Sequence, residues 1–258
     1  MSAQPAPNRS VLITGAAGGI GQGLVEALQS SGWRVIATDH GDTSTNGRSR
    51  PAAQGWIHQD LAQLTADEQA LQAFATRVEE AATPEAPLQT IVHNAAVQRL
   101  GSFEALSQHD WTHTLAVNLL APVAISRALL PQLKRQRGSI VHIGSIHSQL
   151  TKPGFTAYAT SKAALAGLTR AMAVELGGAV RVNAIEPAAI ATPMLDAGFA
   201  DSPDLKAELE ACHPTASIGT PADVARAVLF LLDPANRFLN GCVLPLGGGI
   251  HSRLHDPA

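Results

Sequence analysis

The sequence is poor in cysteine, in tyrosine and in long apolar runs. Cys212 and Cys242 are the two cysteines among 258 residues, and their spacing fits neither a disulfide framework nor a zinc site. No apolar run approaches the roughly 18 residues of a membrane span, and the N-terminus lacks the charged and apolar parts of a signal peptide. We therefore expect a cytoplasmic protein without a membrane partner.

Charge and hydropathy are those of an ordinary globular protein. The formal net charge is −3, and hydrophobic residues make up 45% of the chain. Nucleic-acid binding usually needs a clustered basic face, so no nucleic-acid partner is expected. His109 and His113 have the spacing of two metal ligands on one helix face, but no third ligand is obvious. A solvated helix face is the better interpretation, and no metal site is predicted.

Short runs rich in valine and isoleucine alternate with helical stretches. This alternation predicts βαβ units and a mostly parallel sheet covered on both faces. The predicted strands are residues 11–14, 34–38, 56–58, 90–93, 139–143, 180–185 and 242–246. The predicted helices are residues 21–30, 67–82, 107–136, 158–176 and 221–232. No repeat or long linker divides the chain, so we predict one α/β domain over residues 1–258, with a flexible N-terminus at 1–9.

The single tyrosine, Tyr158, is followed four residues later by Lys162 in a stretch rich in alanine and leucine. That composition predicts a helix, on which the two side chains share one face. An adjacent ammonium favours a phenolate, so it could lower the tyrosine pKa towards neutrality and make Tyr158 a proton donor and acceptor. The alternative is a half-buried packing tyrosine with its hydroxyl in water.

A glycine-rich turn joins the first predicted strand to the first predicted helix. Residues 14–21 read Thr-Gly-Ala-Ala-Gly-Gly-Ile-Gly. Glycines there allow a tight turn and let the backbone approach a pyrophosphate, while the helix N–H groups face the phosphates. The spacing is not the strict G-x-G-x-x-G, and a purely structural turn is the alternative. Four glycines in seven residues favour the phosphate site.

Asp39 lies at the end of the second predicted strand. An acid in this position can accept hydrogen bonds from the adenosine ribose and repels a 2′-phosphate, which favours NAD over NADP. Arg48 and Arg50, in the loop that follows, are the basic residues that could instead bind such a phosphate. A solvated aspartate at a strand end is the alternative interpretation.

Together these motifs resemble the short-chain dehydrogenase/reductase family in its classical form. Residues 14–21 match its T-G-x-x-x-G-I-G pattern, and residues 158–162 match its Tyr-x-x-x-Lys. Residues 93–96 resemble N-N-A-G, with histidine for the first asparagine and alanine for the glycine. Residues 187–192 resemble P-G-x-x-x-T, with alanine for the glycine. The resemblance implies a Rossmann-like, doubly wound parallel sheet of about seven strands.

The same resemblance implies an oxidoreductase that interconverts a secondary alcohol and a ketone with NAD(H). Tyr158 would be the general acid/base, and Lys162 would lower its pKa and hold the nicotinamide ribose. Ser145 would hydrogen-bond the reacting oxygen, and Asn118 would hold a water that connects Lys162 to solvent. Two alternatives stay open: an NADP(H)-preferring carbonyl reductase, and an NAD-sensing binding protein without turnover.

Further contacts are implied by the resemblance. Those to the cofactor would come from Gly15, Ala17, Gly19, Ile20, Gly21, Asp39, Asp60, Leu61, Asn94, Ala95, Ala96, Tyr158, Lys162, Pro187, Ile190 and Thr192. Those to a small-molecule alcohol or ketone would come from His147, Gln149, Phe155 and Met194. A loop over residues 193–220, with a short helical piece at 204–211, would cover the substrate. Polar His147 and Gln149 hint at a hydroxylated substrate.

Besides His93, three positions depart from the family pattern, and one helix suggests self-association. Ala96 and Ala188 replace glycines, which still permits close cofactor approach if their φ angles are negative. Glu186 stands where the family mostly has a small or neutral residue, so it is either solvated or borders the site. The leucine-rich helix at 107–136 has more apolar surface than one core needs, and the resemblance implies a homotetramer or homodimer.

Overall fold

Seven parallel strands form the centre of the protein. The computed structural model describes residues 8–40, 53–199 and 203–254. The strands are β1 (Ser10–Thr14), β2 (Arg34–Asp39), β3 (Gly55–His58), β4 (Leu88–His93), β5 (Ser139–Ile143), β6 (Arg181–Pro187) and β7 (Val243–Leu246). They lie in the order β3-β2-β1-β4-β5-β6-β7, and every pair is parallel. The predicted doubly wound α/β fold is confirmed.

Helices connect the strands and cover both faces of the sheet. They are α1 (Gly19–Ser30), α2 (Glu68–Ala81), α3 (Gln108–Leu115), α4 (Ala121–Arg135), α5 (Thr156–Leu176), α6 (Pro193–Gly198), α7 (Pro203–Cys212) and α8 (Pro221–Leu232). The segment predicted as a loop over 193–220 therefore contains α6 and α7. Threonine caps begin α6 and α8, where Thr192 and Thr220 accept hydrogen bonds from backbone N–H groups, as expected for this residue type.

The core lies in two layers, one on each side of the sheet. One layer packs α1 and α8 on alternate strand residues such as Val11 and Ile185. The other packs α2, α4 and α5 on the intervening residues such as Leu12 and Ile140. Because side chains alternate across a strand, the strands other than β7 contribute to both layers. Burial on both faces explains why the strands are apolar runs without polar alternation.

The stretch predicted as one helix over 107–136 is interrupted. A π-helical turn, Ala116–Leu120, separates α3 from α4. Pro122 lies at the start of α4, and proline has no N–H to donate to the carbonyl four residues earlier, here that of Asn118. In the predicted helix over 107–136, Pro122 is an interior residue, and an interior proline removes a hydrogen bond of a regular helix, so Pro122 was the available signal of this interruption.

One helical stretch also has membrane-like composition. By length and hydropathy alone, Gln108–Arg135 would suffice to cross a membrane. In the fold, Ala121, Ile125, Leu129 and Leu133 of this stretch are fully buried in the core layer around β4 and β5. A buried core helix needs the same apolar residues, so the composition has a cause within the fold.

The order of the sheet decides where ligands can bind. β1 lies between β2 and β4, so the connections leaving β1 and β4 run to opposite sides of the sheet. In open α/β sheets this reversal leaves a crevice at the carboxyl ends of the strands, where ligands bind. Each sequence motif singled out above follows the carboxyl end of a strand or lies in the helix beyond it.

Candidate active site

Tyr158 and Lys162 lie on the first two turns of α5, as their spacing predicts. Tyr158 is half-buried and Lys162 is 2% exposed. The Lys162 Nζ donates to the carbonyl oxygen of Ile143 at 2.8 Å, at the end of β5. The same Nζ lies 5.6 Å from the centre of the Tyr158 ring. The strand end therefore fixes the ammonium beneath the phenol.

The electrostatics of this pair differ from the sequence prediction. Burial raises the pKa of Tyr158 above its ordinary value, although a hydrogen bond with Ser145 acts in the opposite direction. Burial also lowers the pKa of Lys162 to about 8. Because Nζ is directed at the Ile143 carbonyl and not at the phenol oxygen, desolvation outweighs attraction to the ammonium. The predicted lowering of the tyrosine pKa is thus not found in the protein alone.

Ser145 follows Gly144, whose N–H makes the last hydrogen bond from the end of β5 to β6. The Ser145 side chain lies beside Tyr158. That side chain is 7% exposed, and its Oγ accepts a hydrogen bond from the backbone N–H of His147 at 3.2 Å. Its hydroxyl proton is therefore available to Tyr158, with which Ser145 forms a hydrogen bond. The structure brings Ser145 and Tyr158 together, as the family resemblance implies.

Asn118 lies in the π-helical turn and is 1% exposed. Its Oδ1 accepts from the Val97 N–H at 2.8 Å, while its Nδ2 donates to the Val97 carbonyl and to Ser161 Oγ, both at 3.0 Å. The side chain is thus committed to holding the loop after β4 against α5. A water at this point would have to bind the Asn118 backbone carbonyl, to which Pro122 cannot donate.

The glycine loop has the geometry of a phosphate cradle. Gly15 has φ +66°, and a Cβ there would come within 2.7 Å of Ala95 Cα. A Cβ on Gly21 would overlap the Gly15 carbonyl oxygen. Gly18, at the N-terminus of α1, supplies no capping side chain, and the first turn holds no acidic residue. The first N–H groups of α1 are therefore open to an anion, as a dinucleotide pyrophosphate requires.

The glycine loop also touches the segment that follows β6. A Cβ on Gly19 would lie 2.8 Å from Thr192 Cγ2, so the Gly19 backbone lies close to the Thr192 side chain. Thr192 Oγ1 accepts from the Leu195 N–H at 3.3 Å and begins α6. The predicted cofactor residues Gly19 and Thr192 thus lie next to each other.

Asp39 at the end of β2 is bonded to the glycine loop. Its Oδ2 accepts from the Ala17 N–H at 3.0 Å, and its Oδ1 accepts from the His40 N–H at 2.8 Å. The carboxylate lies beside the loop where an adenosine ribose would have to bind. Arg48 and Arg50, the basic residues of the NADP alternative, lie outside the described residues.

The loop after β4 anchors the glycine loop from the other side. Asn94 Nδ2 donates to the carbonyls of Thr14 and Gly15 at 3.0 and 2.9 Å, and Thr14 Oγ1 accepts from the Asn94 and Ala95 N–H groups. Within the described residues, the positive φ angles outside glycine belong to Arg137 and Ala216. The replaced glycines at 96 and 188 therefore need no left-handed conformation.

The other predicted cofactor residues are divided between surface and core. Asp60 is exposed and accepts from the Ala62 N–H at 2.9 Å, while the Leu61 side chain is buried in the core and leaves its backbone for contact. Ile20 is partly buried against the α1 layer. Pro187 is buried, and Ile190 pairs with Gly219 through an isolated parallel bridge.

Aromatic side chains form a wall beside Tyr158. His147 stacks on Phe155 with ring centres 4.3 Å apart, and its edge faces Tyr158 at 5.7 Å. Burial lowers the pKa of His147, and Lys152 adds to this effect. Met194 belongs to α6, but its side chain lies outside the described residues. His147 and Phe155 therefore lie where the sequence places substrate contacts.

Glu186 is the residue whose position sequence reasoning left open. Its side chain is 0% exposed, so the solvated alternative is wrong. Gln149 Nε2 donates to Glu186 Oε2 at 2.9 Å, which places the carboxylate beneath the turn that carries Ser145. A glutamate directly after Ala184 and Ile185 in a predicted strand was the available signal, since a buried acid must be specifically bonded.

Comparisons with known proteins agree with this geometry. A family model described as Enoyl-(Acyl carrier protein) reductase matches residues 15–251. The chain is 33% identical to L-xylulose reductase of Bos taurus over 246 residues, covering 93% of this chain and 96% of the relative. The ligand-free aldohexose dehydrogenase of Thermoplasma acidophilum superposes with a TM-score of 0.87 at 27% identity, covering 98% of this chain and 97% of that one.

A second solved structure carries a nucleotide. It is a putative NAD(P)-dependent gluconate 5-dehydrogenase of Beutenbergia cavernae with NADP bound at low occupancy. Its TM-score is 0.82 at 30% identity, and the match covers 96% of this chain and 98% of that one. Together with the fold and the ordered motifs, these matches show that the chain belongs to the short-chain dehydrogenase/reductase family. It is an oxidoreductase of that family.

Proposed function

We propose that the protein interconverts a secondary alcohol and a ketone with NAD(H), using Tyr158 as general acid/base. The observation that carries this proposal is the convergence of Asn118, Ser145, Tyr158 and Lys162 at one strand edge, next to an uncapped helix N-terminus. When bound, a nicotinamide dinucleotide supplies the hydride acceptor or donor. The chain's own residues position the substrate and move the proton.

The proton path runs through three side chains. In alcohol oxidation, the Tyr158 phenolate accepts the substrate hydroxyl proton, and in ketone reduction the phenol returns it. Ser145 donates its hydroxyl proton to the reacting oxygen and stabilises the negative charge that develops there. Lys162, fixed by Ile143, favours the phenolate electrostatically. A water on the Asn118 carbonyl would connect this group to solvent.

The proposal is tested with Tyr158→Phe. Initial rates with NAD across alcohols, sugars and hydroxy acids first identify a substrate, and the variant then loses about 10²–10⁴-fold in kcat because the proton carrier is gone. NADH binding, followed by fluorescence, stays intact. Full activity in the variant would contradict the assignment. NAD binding with no oxidation across the panel would favour the non-catalytic sensor.

NAD preference rests on Asp39, whose carboxylate lies against the glycine loop. A 2′-phosphate at this position meets a negative charge. The NADP alternative keeps one observation in its favour, since the related gluconate 5-dehydrogenase structure holds NADP. Asp39→Ala should weaken NADH binding and strengthen NADPH binding, each by about tenfold. Tighter binding of NADPH than NADH to the unaltered protein would overturn NAD preference.

We further propose a cytoplasmic homodimer or homotetramer. Both cysteines are free thiols, which suits a reducing compartment. Val174 on α5 is 86% exposed and Phe238 is 95% exposed, and exposed apolar residues of this size favour contact with another copy. Light scattering after gel filtration measures the assembly, and a monomer would contradict this part of the proposal.

A further inference from the structure

A buried carboxylate beside the candidate site lacks the partners that such a group needs. Glu186 is fully buried, and no basic side chain within the described ranges forms an ion pair with it. Its Oε2 accepts from Gln149, while its Oε1 is buried without a hydrogen-bond partner. Burying an uncompensated acceptor costs stability. A contribution to folding therefore does not account for a carboxylate in this buried position.

The sheet places this carboxylate directly under the reacting end of the site. Gly144 donates its N–H to the Ile185 carbonyl at 2.7 Å, so Gly144 and Glu186 are neighbours across β5 and β6. A Cβ on Gly144 would lie 3.0 Å from Glu186 Cγ. The next residue after Gly144 is Ser145. Glu186 is therefore held against the backbone of the turn that presents Ser145 and His147.

The carboxylate also fixes which end of Gln149 faces outwards. An ionised carboxylate can only accept hydrogen bonds, so the amide must direct its Nε2 at Glu186. The Oε1 of Gln149, an exposed residue, then points away from the carboxylate. Within the described residues, Glu186 Oε1 has no hydrogen-bond partner. Of this pair, Gln149 is the exposed residue, so its Oε1 is the acceptor that a ligand can reach.

The surroundings of Glu186 reinforce its acceptor character. His251 follows β7, and burial lowers its pKa while the Glu186 charge acts in the opposite direction. The ring of His251 packs on Gly247, where a Cβ would lie 2.7 Å from its Nδ1. A largely neutral imidazole in this position leaves the carboxylate charge unneutralised.

We propose that Gln149, oriented by the buried Glu186, gives the substrate site a hydrogen-bond acceptor at an end that selects neutral polyhydroxy substrates over their carboxylate analogues. This inference rests on the proposed function of Tyr158. Gln149 Oε1 accepts a hydrogen bond from a substrate hydroxyl remote from the reacting carbon. Glu186 is a positioning residue that orients Gln149, and its negative charge repels an anionic group at that end.

The experiment compares matched substrate pairs with NAD as oxidant: mannitol against mannonate, and xylitol against xylonate. The unaltered enzyme should show a kcat/KM at least about tenfold higher for the polyol of each pair. Glu186→Gln removes the charge but keeps the shape, so this ratio should fall about tenfold, mainly through a lower KM for the acids. Glu175→Gln, at an exposed position of α5, makes the same charge change and should leave the ratio unaltered.

A second variant guards against a folding defect in the first. Gln149→Ala changes an exposed side chain, and it should raise KM for the polyols about tenfold with kcat nearly unchanged. Thermal melting and NADH binding identify variants that fold normally. Preference for the acids, oxidation of apolar alcohols alone, or unchanged values in Gln149→Ala would overturn the inference while leaving the proposed function intact. No oxidation of any alcohol would instead contradict the proposed function.

Discussion

The contacts of Tyr158 act in opposite directions on the stability of its phenolate. Burial against His147 and Phe155 disfavours the phenolate of Tyr158. Lys162 stabilises that phenolate only a little, because its ammonium donates to the Ile143 carbonyl. A general base for alcohol oxidation must nevertheless lose its proton near neutral pH. We expect the protein alone to hold Tyr158 as a phenol, with an oxidised, positively charged nicotinamide nearby favouring the phenolate when it binds.

A direct titration tests this expectation, because the chain contains one tyrosine. Tyrosinate absorbance near 295 nm should appear with a midpoint above about 10 in the free enzyme. Saturating NAD should move the midpoint to lower pH. Unfolded protein serves as the reference, with a midpoint near 10. A midpoint at or below that of the unfolded chain, without NAD, would contradict the role assigned to burial.

At the scale of elements, the glycine loop and α1 form one rigid unit with the end of β4. Gly21 packs its Cα on the Gly15 carbonyl, and Asn94 bonds the carbonyl of the same residue. Any side chain at Gly21 must displace the loop backbone. Since that backbone would contact the pyrophosphate, cofactor binding is more sensitive to such a change than helix formation is.

Gly21→Ala should therefore raise Kd for NADH at least about tenfold and lower stability, because its Cβ overlaps the Gly15 carbonyl oxygen. Gly167→Ala is the matched control, since Gly167 lies within α5 with nothing near its missing Cβ. That control should stabilise the protein by about 0.5–1 kcal/mol without affecting NADH binding. Calorimetric titration and urea unfolding measure the two effects, and equal Kd values in both variants would refute the steric argument.

The elements themselves were largely predictable from sequence, whereas their irregularities were not. Valine and isoleucine runs located all seven strands, because strands buried on both faces must be apolar. The π-helical turn was not predicted; it contains Asn118, whose contacts with Val97 and Ser161 join residues that are distant in sequence. Helix α6 was read as loop, because proline and glycine at its ends suggested turns.

In the candidate site, too, some features were predictable from the sequence and others were not. Motif order alone identified Tyr158, Lys162 and the glycine loop, because their spacing is local. The pKa direction of Tyr158 and the burial of Glu186 depend on which residues surround them in the folded chain. Such environments arise from packing between elements, which a single sequence does not encode locally.

At the scale of the whole molecule, the core contains ionisable groups with no role in the proposed chemistry. His93 and His142 stack with ring centres 5.3 Å apart, bonded to Ser126 and Thr169 respectively. Burial lowers the pKa of His142 to about 3 and that of His93 well below its ordinary value. Both are therefore neutral in the folded protein across the physiological range.

This pair predicts a stability that depends on pH. Unfolded histidines gain protons as pH falls below about 6.5, while the folded ones do not, so stability present above that pH is lost on acidification. Each histidine contributes a slope of about 1.4 kcal/mol per pH unit between its unfolded and folded pKa values. Urea unfolding between about pH 7.5 and 5 measures how the free energy of unfolding changes with pH. His142→Gln should remove the contribution of one histidine from that slope. An unchanged slope in that variant would contradict the neutral assignment.

The contact between Gly19 and Thr192 has a kinetic consequence. The loop that would receive the pyrophosphate lies against the segment that begins α6, close to where a substrate would enter. A nucleotide whose pyrophosphate bound at this contact would have to displace that segment, and α6 would then lie over the nucleotide. Turnover should therefore be compulsorily ordered, with the dinucleotide arriving first and departing last.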